Sequence, residues 1–159
     1  LFLIFIAVAL AAGDENLSDV GVRKTLTELQ IHITVSGMVR CETHNTTFHI
    51  ALMEHDNLSN DLIAETHVDI ETGAETYEVS GWAIDSSFEK TVEPFLVVRH
   101  NCPGWDKNTT GIFCVALEPT STAKSYQRVR MSYEEAGIWR KNGWSYPSIN
   151  CNHFGKFSV

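Results

Sequence analysis

An all-β sandwich is the fold this sequence predicts. Apolar residues alternate with polar ones through several short runs, helical periodicity is almost absent, and turn-forming clusters separate the runs. The 159 residues suffice for one domain with its own core and are few for two. The expectation is an antiparallel β-sandwich of seven to eight strands, stabilised by disulfides.

The elements follow in order. The opening LFLIFIAVALAAG is apolar and ends in small residues. It is too short for a membrane span, which needs roughly 20 apolar residues, and it has the pattern of a signal peptide. Residues 1–13 are therefore expected to be a signal-peptide remnant, residues 14–28 a loose lead-in, and residues 29–159 the folded domain. From Leu29 the period is two: Leu29, Ile31, Ile33, Val35 and Val39 alternate with polar neighbours, which puts His32 on the wet face. Phe48, Ile50 and Leu52 mark a second strand. A third carries Leu62, Ala64, Thr66 and Val68 on one face, and a fourth points Tyr77 and Val79 inward. Phe95-Leu96-Val97-Val98 does not alternate, the pattern of a strand covered on both faces. IFCVALE is a further strand, and SYQRVRMSY places Tyr126, Arg128 and Arg130 on one parity against Gln127, Val129 and Met131. The aromatic, turn-rich C-terminal segment has room for one last short strand.

Charge divides the chain. Residues 1–78 carry a net charge of -10 and residues 79–159 a net of +2. The overall charge of -8 disfavours nucleic acid and anionic membrane surfaces as partners. Four N-x-[ST] sequons, at Asn16, Asn45, Asn57 and Asn108, together with the even cysteine count and the apolar leader, point to a secreted, extracellular glycoprotein.

Several segments resemble the nematode transthyretin-like family: ITVSGMVRC, DNLSNDLIAET, YEVSGWA, and above all EPFLVVRHNC with a second cysteine soon after it. The resemblance covers about residues 31–116. VDIETG is one residue longer than the family's corresponding turn, CVA replaces its C-x-R, and the final strands do not align beyond Pro119. The resemblance implies a transthyretin-like sandwich of two four-stranded sheets, secretion, two disulfides and no established enzymatic activity. It also implies a likeness in fold to transthyretin and to 5-hydroxyisourate hydrolases, although fold alone does not fix function.

All four cysteines are expected in disulfides. Cys102 and Cys114 flank eleven residues, a loop that closes easily, and this spacing favours a Cys102–Cys114 bridge. Cys41 and Cys151 would then pair, among three connectivities that four cysteines allow. The alternative, a Cys102 nucleophile with His100 as its base, needs a free thiolate.

The seven histidines, at 32, 44, 49, 55, 67, 100 and 153, show no metal-ligand spacing, and His67 with Asp69 lacks a converging third ligand. No G-x-S-x-G elbow is present. The chain ends HFGKFSV, unlike the Tyr-Arg-Gly-Ser tail of the 5-hydroxyisourate hydrolases. No catalytic residue, metal or cofactor is expected.

The candidate binding residues lie later in the chain. Residues 124–141 hold five of the twelve basic side chains. Arg128, Arg130, Trp139, Arg140, Lys141 and Trp144, with Trp105 in a loop, combine the residue types that dominate interface hot spots. The expected function is a secreted, non-enzymatic binding module whose partner is an extracellular protein or lipid, with homo-oligomers open. The alternatives are a carrier of a small hydrophobic ligand and a hydrolase centred on Arg99 and His100.

Overall fold

The computed structural model describes residues 21–25, 28–41, 46–56, 59–71, 73–86, 91–102, 111–132, 138–141, 144–149 and 151–154. The signal-peptide segment, Trp105 and the sequons at Asn16, Asn45, Asn57 and Asn108 lie outside the described residues. The described chain is an all-β sandwich of two sheets held by two disulfides.

The described residues form ten strands: β1 (Val22–Lys24), β2 (Glu28–Cys41), β3 (Thr46–Glu54), β4 (Asp61–Ile70), β5 (Gly73–Ser86), β6 (Pro94–His100), β7 (Ile112–Ala116), β8 (Lys124–Ser132), β9 (Ile138–Lys141) and β10 (Trp144–Ile149). A short 3-10 turn, Cys151–Phe154, follows. One sheet has the order β1-β2-β5, with β8 also paired to β2. The other runs β4-β3-β6-β7-β10-β9. The pairing among the described residues is antiparallel except between β2 and β8, which are parallel. Among the described residues the sheets therefore hold four and six strands, where the resemblance implied four each. Within the expected lead-in, Val22–Lys24 forms β1 and pairs with Leu29–Ile31. The β9–β10 hairpin extends the six-stranded sheet, and β9 also lies beside β8 of the other sheet.

The core follows the alternation. Ile31, Ile33, Val35 and Val39 of β2 meet Phe48, Ile50 and Leu52 of β3, Tyr77 and Val79 of β5, and Leu96 and Val98 of β6. Burying such side chains contributes about 1.5–3 kcal/mol each, the main force holding the sheets face to face. The unbroken apolar run of β6 has the expected cause. Leu96 and Val98 face this core, whereas Phe95 and Val97 face a second, smaller cluster with Ala51, Met53, Cys114, Cys151 and Phe154. The C-terminal turn covers that side of the sheet, and Phe154 stacks on Phe95 with ring centroids 3.9 Å apart.

This two-sided burial overturns the expected cysteine pairing. The bridges are Cys41–Cys102 and Cys114–Cys151. β6 and β7 pair with Val97 opposite Cys114 and Val98 opposite Phe113, so Cys114 shares the Val97 face. Cys114 therefore points to the outer cluster, where Cys151 waits, while Cys102 and Cys41 belong to the main core. Loop length made a Cys102–Cys114 bridge easy, but the pleat places the two thiols on opposite sides of one sheet. No described cysteine is free, so Cys102 is not available as a nucleophile.

Two bulges correct the expected parities. The β3–β4 register shifts between Leu52 and Met53, pairing Leu52 with Ala64 but Met53 with Leu62. Ile63 and Ala64 then pack on the core and Leu62 is left exposed. The β2–β8 register shifts in the same way, from Val35↔Tyr126 to Gly37↔Val129. Tyr126, Val129 and Met131 all point inward, and Gln127 and Arg128 are both exposed. A strand with one extra residue changes the face of everything beyond it.

Candidate functional site

The second bulge builds the first candidate site. Arg128 takes up the extra residue with φ of 58°, a left-handed conformation that costs a side-chain-bearing residue on the order of 1 kcal/mol. Gly37 is required opposite it: a Cβ there would lie 1.7 Å from the Val129 carbonyl oxygen. With no side chain at Gly37, the Tyr77 ring crosses the gap and its hydroxyl donates to that carbonyl at 3.1 Å. Burial pushes the Tyr77 phenol well above its ordinary pKa of 10.0, so it stays a neutral donor. The result is a groove of about 500 Å³ on the β2-β5-β8 sheet, lined by Ser36, Gly37, Met38, Thr76, Tyr77, Glu78, Gln127 and Arg128. Hydroxyls, an amide, a thioether, the Glu78 carboxylate and the Arg128 guanidinium are groups that hold a ligand, and Ser36 lies across the ladder from Glu78.

The other binding candidates are placed by topology. Arg130 lies in β8, Trp139, Arg140 and Lys141 in β9, and Trp144 in β10. The hairpin register sets Lys141 opposite Trp144 and Arg140 opposite Ser145. Because β9 runs beside β8, the segment carrying Arg128 and Arg130 and the hairpin carrying the tryptophans meet at one edge of the sandwich.

Arg99 and His100 both line one groove, but their side chains leave β6 on opposite faces. Neighbours in a strand face opposite ways. The His100 ring lies between Phe48 and Phe113, with centroids 5.6 Å from each. Its Nδ1 accepts from the Cys102 N–H at 3.2 Å. Arg99 sits on the other face, across the ladders from His49 and Ile112. That face carries an ordered polar row: His49 Nε2 and Glu65 Oε2 are 2.8 Å apart, His49 stacks on His67, and the Thr47 hydroxyl donates to Asp69. His32 is on the outer face of its sheet, as its parity requires, within 3.2 Å of the Ser80 hydroxyl and edge-on to Trp82.

Sequence reasoning passed over Glu54. It is 2% exposed, and its Oε1 has no hydrogen-bond partner among the described residues. Burial first, then the nearby carboxyl of Asp85, with lesser effects from Asp56 and Asp61, push its pKa up to about 8. One cue was present: Glu54 continues the inward parity of Phe48, Ile50 and Leu52. Among the described residues no group of three histidine, cysteine or acidic side chains is arranged to hold a metal ion.

No protein-family model matches the chain, and no curated protein matches it. Among the described residues no helix is long and apolar enough to cross a membrane.

Proposed function

We propose that the chain is a secreted, extracellular binding module of transthyretin-like type that performs no catalysis and engages a protein or lipid ligand. The groove at the Arg128 bulge carries this reading. A left-handed arginine and a glycine that cannot be replaced are costly local features, and such strain concentrates where binding needs it. The β9–β10 hairpin, whose β9 lies beside β8, carries basic and aromatic residues of the C-terminal third. Two disulfides joining distant segments suit an oxidising compartment, which supports secretion. The separation of Arg99 from His100 across the sheet supports a role other than hydrolysis.

The test is affinity capture from extracellular fluid with the native chain, with an Arg128→Glu variant and with a Trp139→Ala/Arg140→Ala/Trp144→Ala triple variant. A ligand retained by the native chain should be lost from both variants while their circular dichroism is unchanged. Equal capture by all three would remove the groove and hairpin as the site. Turnover of ureide-type substrates, abolished by His100→Ala, would replace the binding reading with the hydrolytic one.

A further inference from the structure

We infer that the outer face of the six-stranded sheet holds a second site, around Arg99, that takes a small organic monocarboxylate. The groove there is about 420 Å³ and lies at the β3, β6 and β7 ends. Arg99 lines it and is half-buried, and its guanidinium makes no hydrogen bond or ion pair with any described residue. A half-buried guanidinium with no counter-charge among the described residues offers its donors to an anion that enters the groove.

The acids nearest in the row are already engaged. Glu65 is held by His49 at 2.8 Å, and Asp69 accepts from the Thr47 hydroxyl at 2.8 Å. Neither is among the groove's described lining residues, so among these Arg99 supplies the only full charge that does not depend on a histidine proton. Asn101 lies two residues beyond Arg99, on the same parity. Its Oδ1 accepts from the Thr47 N–H at 2.9 Å, which fixes the amide and leaves the Nδ2 hydrogens as donors without a described acceptor. A forked guanidinium and an amide N–H2 on one face are matched by a carboxylate, whose two oxygens accept from both.

The shape of the groove sets the rest of the ligand. Ile112 stands across the ladder from Arg99 and gives an apolar wall. Gly111, with φ of 67°, accepts at its carbonyl from the His100 N–H at 2.8 Å and closes the end without a side chain. A single cation beside an apolar wall suits a singly charged acid with a short aliphatic part better than a doubly charged phosphate. The site is separate from the Arg128 groove on the other sheet.

The test is a titration of the native, disulfide-bonded chain with butyrate, its neutral isostere butyramide, and inorganic phosphate, followed by amide chemical shifts. Butyrate should give saturable shifts confined to residues around 47–49, 99–101 and 111–112, and butyramide should give none. Arg99→Gln should weaken butyrate binding by about tenfold or more, the loss expected for a charge-assisted hydrogen bond. Should Arg99→Gln not fold, Ile112→Glu, which puts a competing carboxylate beside Arg99, is read for the same loss. Shifts mapping elsewhere, equal response to butyramide, undiminished binding in the variant that folds, or tighter binding of phosphate would each overturn the assignment.

Discussion

The Tyr77 hydroxyl reaches the Val129 carbonyl at 3.1 Å by passing over Gly37, which joins three strands through one side chain. Tyr77→Phe removes only this hydrogen bond and leaves a buried carbonyl with one partner fewer. The expected cost is about 1 kcal/mol, seen as a fall of about 3 °C in Tm by calorimetry. An unchanged Tm would show that the bulge holds without it.

Gly37→Ala is expected to do far more. The new Cβ would sit 1.7 Å from the Val129 oxygen, and the neighbour is backbone, so β2 and β8 must part. A loss of at least about 3 kcal/mol is expected by denaturant unfolding, with loss of any ligand bound at the Arg128 groove.

Arg128→Gly separates stability from binding. Glycine adopts φ of 58° without steric cost, so the variant should gain about 0.5–1 kcal/mol, whereas Arg128→Ala should not. Both variants lose the guanidinium, so both should bind ligand less tightly. A glycine variant no more stable than the alanine variant would argue against strain at this residue.

Glu54 makes stability depend on pH. The folded chain keeps a proton that the unfolded chain releases above about 4.5, so stability falls as pH rises from 4.5 and levels off beyond about 8. The swing is on the order of a few kcal/mol, because raising a pKa by one costs the charged form about 1.36 kcal/mol. Glu54→Gln should flatten the profile, being closest to the native chain at acidic pH and more stable than it near pH 9. Parallel profiles for the two proteins, measured by denaturant midpoints, would refute this.

Disulfide mapping by mass spectrometry of proteolysed, non-reduced protein should recover Cys41 with Cys102 and Cys114 with Cys151. The bridges span 61 and 37 positions, so each stabilises by about 4 kcal/mol in the chain-entropy model. Removing either pair should cost a large part of the domain's stability.

Most of the strands were legible in the chain because burial on one face imposes a period of two. Ile31 through Val39, Phe48 through Leu52, and Tyr77 with Val79 lie inward as their parity requires. The unbroken run Phe95–Val98 was legible for the opposite reason, having cover on both faces. Leu62 was grouped on one face with Ala64 and Val68, and Tyr126 on one parity with Arg128, because a bulge adds a residue without any mark in the hydrophobic pattern. Of the binding residues, Arg128 was found by composition, but its groove depends on Gly37 and Tyr77, which are distant in sequence. Arg99 was noticed as a possible catalyst beside His100, and the pleat separated the two.

Composition and periodicity alone determined that this is an all-β sandwich with four paired cysteines, because alternation and cysteine count are local properties that any register preserves. Tertiary structure alone decided which cysteines meet, where the bulges fall, and that Glu54 is enclosed beside Asp85. Those outcomes depend on which face of which strand packs against which neighbour. Spacing along the chain carries no information about a side of the sheet once a strand from a distant part of the chain pairs beside it.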